Sequence, residues 1–99
     1  MSALRDVLAG RAAALGADGR EVGGRTEFNR GEVVFAVLDG ATLSARLESA
    51  IVAAALRTPD TAAAPRGPEW VAFTPATLDG PAIDQAVAWF EAAWRRAGG

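Results

Sequence analysis

Neither cysteine nor histidine occurs in this chain of 99 residues. That excludes zinc sites, haem attachment, thiol chemistry, Ser-His-Asp triads and imidazole-based pH switches at the level of residue inventory. Catalysis would have to run on carboxylates, arginines or hydroxyls, and no pattern of those groups identifies a reaction. No catalytic residue, cofactor or metal is therefore predicted. Lysine is missing too, so the ten basic residues are all arginine, whose planar fork suits phosphate and carboxylate. With the abundance of alanine, that bias is what a GC-rich genome produces. Positive charge is not in excess: the formal net charge is −2 and the pI is near 5.0, which argues against sequence-independent binding to DNA or anionic membranes. Apolar runs of membrane-spanning length are absent, and Met1-Ser2-Ala3-Leu4-Arg5-Asp6 lacks the charged-then-apolar order of a signal peptide. The expectation is a cytoplasmic protein.

A chain of this length buries roughly 60–68% of the surface its unfolded form exposes, so residues 1–99 are expected to form one domain around one core. Leu4, Val7, Leu8, Ala12 and Leu15 recur at helical spacing, with Ser2 placed to cap and Gly16 to stop a helix over 3–15. Residues 17–24 are rich in glycine and read as a loop, followed by a strand at 25–28 and a three-residue turn, Asn29-Arg30-Gly31, with Gly31 at positive φ. Residues 48–57 have high helix propensity and end before Thr58-Pro59. The proline-stiffened stretch 58–68 reads as a loop and Trp70-Val71-Ala72-Phe73 as a strand. In the last helix Asp79 or Gly80 caps, Pro81 sits in the first turn, and Ile83, Val87, Phe90 and Trp94 form the apolar stripe. Glu91 and Arg95 are spaced for an i,i+4 pair on its outer side.

The clearest signal is a hairpin, Glu32 to Leu38, Asp39-Gly40, then Ala41 to Leu47. Asp-Gly predicts a type I′ turn with Leu38 opposite Ala41, Val37 opposite Thr42, Ala36 opposite Leu43 and Phe35 opposite Ser44. Alternation places Val34, Ala36, Leu38, Leu43, Ala45 and Leu47 on one face, and Val33, Phe35 and Val37 beside Thr42, Ser44 and Arg46 on the other. The predicted order is α-β-β-β-α-β-α: an α+β domain with a four-stranded antiparallel sheet and helices packed on it.

The second face of that hairpin is the candidate binding surface. It is apolar at Val33, Phe35 and Val37, and polar at Thr42, Ser44 and Arg46, and an uncovered apolar patch marks a contact site. Arg46 on this face suits an anion. Arg66 lies in the proline-rich loop, and with Arg20, Arg25 and Arg30 forms a candidate phosphate patch diluted by Asp18, Glu21, Glu27, Glu32 and Glu69. Of the three tryptophans, Trp94 continues the core stripe, Trp70 starts a strand, and Trp89, on the flank of the last helix, is the one expected to be partly exposed. Glu27 and Glu32 flank a turn, but make no acid/base dyad without burial.

The run Phe28-Asn29-Arg30-Gly31-Glu32-Val33-Val34-Phe35-Ala36-Val37-Leu38-Asp39-Gly40, an alanine-rich helix, Gly67-Pro68-Glu69-Trp70-Val71 and a closing helix with Ala93-Trp94-Arg95 together resemble the MmcQ/YjbR-like family of small bacterial proteins. The resemblance covers roughly residues 20–97 and implies a compact α+β fold and, by fold analogy, DNA binding. Where that family has lysine before its Phe-Ala pair, this chain has Val33, which removes a basic contact. The strand order is also similar to that of the small luciferase-domain family, whose strand histidines have Phe35 and Val37 in their place here, and of the N-terminal domain of TfoX-like competence regulators. None of the three supplies catalytic residues. The function expected is a non-enzymatic interaction module that binds a protein partner or itself through the second sheet face, with DNA binding as the alternative and a small carboxylate enzyme third. No membrane partner is expected.

Overall fold

The computed structural model describes residues 3–98. Its elements are α1 (Ala3–Leu15), β1 (Asp18–Val22), β2 (Arg25–Arg30), β3 (Val33–Asp39), β4 (Thr42–Arg46), α2 (Ser49–Ala55), β5 (Thr61–Ala63), β6 (Trp70–Phe73) and α3 (Gly80–Ala97). The α+β class is as predicted, but the antiparallel sheet has six strands instead of four, in the order β1-β2-β3-β4-β6-β5. The two additional strands lie at its edges. β1 comes from the segment read as a glycine loop: Gly23 and Gly24, at φ 58° and 82°, make a two-residue turn that sets Val22 opposite Arg25, as a type I′ hairpin requires. β5 comes from the proline-rich stretch and pairs with β6.

Helix ends follow local chemistry. At the end of α1, Gly16 adopts φ 79°, and the amides of Gly16 and Ala17 donate to the carbonyls of Ala13 and Ala12, a Schellman closure. The predicted cap at Ser2 lies outside the described residues. Asp79 caps α3 by accepting from the Ala82 amide at 3.0 Å, with Pro81 in the first turn. The carboxylate of Glu91 goes to Arg11 of α1, tying the two helices together.

All three helices contribute to one core on one face of the sheet. Leu4, Leu8 and Ala12 of α1, Val52 and Ala55 of α2, and Ala86, Trp89, Phe90 and Ala93 of α3 meet Phe28, Ala36, Leu38, Leu43, Ala45, Val71 and Phe73. The buried stripe of α3 is thus rotated from the predicted one: Ile83, Val87 and Trp94 are only partly buried. Ala86 and Ala93 add no bulk, so the helix seats close to the sheet along that line, and Trp89 fills the space beside Phe73, ring centroids 5.1 Å apart. Trp89, expected to be partly exposed, is 7% exposed and belongs to the core.

The turn after β3 also differs. Gly40 takes φ 60° while Ala41 keeps a negative φ, and Asp39 faces Thr42. This is the II′ pattern, with glycine first of the two central residues. The β3–β4 register therefore slides: Leu38 pairs with Leu43, Val37 with Ser44 and Ala36 with Ala45. Because the slide preserves parity, face membership along β4 is unchanged.

Phe35 is the exception. Between β2 and β3, Phe28 pairs with Ala36 and Asn29 with Val34, so Phe35 is the extra residue of a β-bulge. A bulge re-aims side chains, and Phe35 turns to the helix side, fully buried, edge-on to Phe90 at 5.1 Å and Trp94 at 5.7 Å. It does not belong to the second face, and beyond it the faces swap: Val34, opposite Asn29, lies on the second face and outside the helix-side core, while Val33, opposite Arg30, is on the helix side.

The end of α3 is fastened to the β2–β3 hairpin by Arg30. Its guanidinium donates to the Trp94 carbonyl at 2.9 Å and lies 4.0 Å from the centroid of the Trp94 ring. A side chain on Gly98 would meet the guanidinium, the mobile end of a long side chain, and displace it. Arg30→Ala is expected to cost about 1–2 kcal/mol, from a charge-assisted hydrogen bond and a stacked cation, measured as a lower urea midpoint with an unchanged slope.

Candidate functional site

The face away from the helices is read from the register. Glu27 lies beside Arg20 on one side and Val37 on the other; Val37 is beside Ser44, Ser44 beside Ala72, and Ala72 beside Ala62. One pair further along, Arg46 faces Trp70. Thr42 meets Thr74 through their hydroxyls, 2.8 Å apart. Small side chains over β4, β5 and β6 make a low floor, with arginines and Trp70 standing around it.

Among the described residues, Glu27 is the charged side chain that is buried, and three guanidiniums surround it. Arg25, two residues earlier on the same strand face, lies 3.4 Å away; Arg20, across the ladder, 3.6 Å; and Arg66, from the β5–β6 connection, 3.8 Å. In strand order Arg66 must cross β4 and β3 to reach β2, three spacings or ~14 Å. The two long side chains reach toward each other over the sheet and close that distance. Arg66 also sits 5.3 Å from the centroid of the Trp70 ring. Val37 is buried beneath this arrangement at 3% exposure yet lies outside the helix-side core.

The guanidiniums remain in contact with water. Side-chain exposure is 68% for Arg20, 39% for Arg25 and 36% for Arg66, against 12% for Glu27. Of the three contacts only that of Arg25 has hydrogen-bond geometry, and the Nε of Arg25 is buried without an acceptor. Each guanidinium carries five donors, while one carboxylate offers about four acceptor positions. The cluster is short of acceptors and, with three positive charges around one negative, carries an excess of two. Arg46 is spoken for differently: it reaches Glu69 at 3.3 Å, and Glu69 also holds Arg96 of α3.

The predicted surface is therefore divided. Val37, Thr42, Ser44, Arg46 and Arg66 do lie on or over the second face; Phe35 and Trp89 are in the helix-side core; and Val33, 37% exposed, pairs with Arg30 at the hairpin end. Of the four loop arginines proposed as a patch, Arg20, Arg25 and Arg66 gather, and Arg30 leaves for Trp94. The face carries converging arginines beside Val37, where the sequence pattern predicts a mixed surface, apolar along β3 and polar along β4.

A separate cleft of about 350 Å³ lies between α1 and the β1–β2 hairpin, floored by Ala12, Gly19 and Phe28 and rimmed by the Arg5–Glu21 pair. Its rim charges are matched, and its walls are mostly alanine. Among the described residues, no group of acidic side chains is arranged to hold a metal ion, and no helix is long and apolar enough to cross a membrane.

Compared with known proteins, the chain matches no family model, no curated protein and no solved structure. What the structure defines is a class: a two-layer α+β domain with an open six-stranded antiparallel sheet, helices on one face and an arginine-rich surface on the other.

Proposed function

We propose that the protein is a non-enzymatic binding module of YjbR-like type, acting in the cytoplasm, that engages an acidic segment of a protein partner through its arginine-rich sheet face. The observation that carries this reading is the excess of guanidinium donors over acceptors around Glu27, exposed on a face that no helix of the core occupies. Electrostatic complementarity of this kind supplies specificity and association rate. Self-association through an apolar version of this face, the other form of the original expectation, loses its basis once Phe35 is in the core.

Titration of the ¹⁵N-labelled protein with poly-glutamate at low ionic strength tests it. Shifts are expected at Arg20, Arg25, Val37, Ser44, Arg66 and Trp70, fading as salt shortens the Debye length from ~30 to ~10 Å; shifts confined to α1, or none, reject the reading. Duplex or single-stranded DNA is the second reading, favoured by the neighbouring Trp70 indole and arginines, and a tighter, salt-steep response to an oligonucleotide would put it first.

A further inference from the structure

We infer that Arg20, Arg25 and Arg66, held in convergence by Glu27, form a specific site for a phosphoryl group. The inference rests on the arginine-rich face being the binding surface, and adds the chemistry of what it recognises. Three features separate this cluster from an ordinary solvated ion pair. First, the guanidiniums approach one carboxylate from three sides: across the β1–β2 ladder, along β2, and from the β5–β6 connection. Free arginines on a surface repel one another; Glu27 draws these three to within 3.8 Å of its carboxylate, which lowers the cost of gathering them when a ligand arrives.

Second, most of their donors are unused by the protein. Of the contacts to Glu27, which run from 3.4 to 3.8 Å, only that of Arg25 has hydrogen-bond geometry. Third, the charge excess of two matches the charge of a phosphate monoester, −1.5 to −2 near neutrality. Three separate forks suit a group with three peripheral oxygens better than a planar carboxylate, which one fork satisfies. The ligand seats on the solvent side of the guanidiniums, with Glu27 beneath them as a positioning residue and the Trp70 indole, against which Arg66 lies, as the wall for whatever carries the phosphate.

The test is a titration of the full chain with inorganic phosphate, followed by the Arg Nε–Hε and backbone ¹⁵N signals, at constant ionic strength. Saturable shifts at Arg20, Arg25, Glu27 and Arg66 are expected, competed by sulfate and not reproduced by chloride. Arg20→Gln and Arg66→Gln are each expected to weaken binding about tenfold, as loss of a charge-assisted contact does, with thermal midpoints close to the parent because both side chains reach solvent. Phenyl phosphate and phosphoserine then distinguish the carrier: stronger binding of the aryl ester, with ring-current shifts at Trp70, assigns the indole a part. Non-saturating shifts, shifts matched by chloride, or equal affinity in the Arg20→Gln/Arg66→Gln protein overturn the site. If phosphate fails while poly-glutamate still perturbs this face, the phosphoryl inference falls and the partner reading stands; if neither moves these residues, both fall.

Discussion

Phe90→Ala is expected to lower the unfolding free energy by about 3–5 kcal/mol, the range for truncating a fully buried phenylalanine. The ring has no solvent exposure and is edge-on to two others, Phe28 at 4.9 Å and Phe35 at 5.1 Å. It is the point where α3 meets both the strand before the bulge and the bulged residue itself. A domain of this size has only ~5–15 kcal/mol in total, so the variant sits near its unfolding threshold. Urea unfolding followed by tryptophan fluorescence should show the midpoint falling with little change in slope. Phe35→Ala should cost a similar amount and couple to Phe90→Ala by about 0.5–1.5 kcal/mol in a double-mutant cycle, whereas exposed Val33→Ala should stay within ~0.5 kcal/mol of the parent. Equal, small losses for Phe35→Ala and Val33→Ala would return Phe35 to the outer face and remove the bulge from the argument.

That comparison also shows where sequence pattern stops being informative. Alternation along 32–47 assigned every β4 residue to its correct face despite a turn that begins one residue later than Asp39-Gly40 suggests, because a slide that keeps parity leaves faces intact. It failed at Val33, Val34 and Phe35 since a bulge is a property of two strands: nothing in Val33-Val34-Phe35-Ala36 records that Asn29 and Phe28 bracket one residue too many. β1 was legible only through its turn. Asp-Gly-Arg-Glu-Val is an exposed edge strand, so it carries no apolar alternation, and only Gly23-Gly24 marks the hairpin. β5, three residues of Thr-Ala-Ala, has no pattern of its own and exists because β6 offers it an edge. In α3, Ala86 and Ala93 are too small to register as a stripe, though they decide where the helix seats and hence that Trp89 points inward. The site was half visible. Arg25 and Glu27 are two apart on one strand face and Arg20 follows from the hairpin register, whereas the approach of Arg66 is a contact across three strand spacings, which local sequence does not encode.

Glu27→Gln, which keeps the shape and removes the charge, is expected to cost about 1–2 kcal/mol and to make stability depend on the anion present. In the parent, the carboxylate offsets the mutual repulsion of Arg20, Arg25 and Arg66. Exposed pairs contribute little, ~0–1 kcal/mol each, and these guanidiniums can retreat into water, so the loss stays well below that for stranding a buried charge. What remains in the variant is three cations over Val37 with no counter-ion of their own. A bound dianion restores one, and stabilises by RT ln(1 + [L]/Kd), so sulfate or phosphate should recover a substantial part of the lost midpoint where chloride at the same ionic strength does not. Adding Arg66→Gln should both reduce the initial loss and remove the anion dependence, because the repulsion and the site disappear together. Thermal melts of the parent, Glu27→Gln and Glu27→Gln/Arg66→Gln proteins in matched chloride and sulfate read out all of this. If Glu27→Gln is as stable as the parent in chloride, the carboxylate does not hold the arginines together; if sulfate and chloride act alike on all three, the converged guanidiniums are a solvated rim and recognise no particular anion.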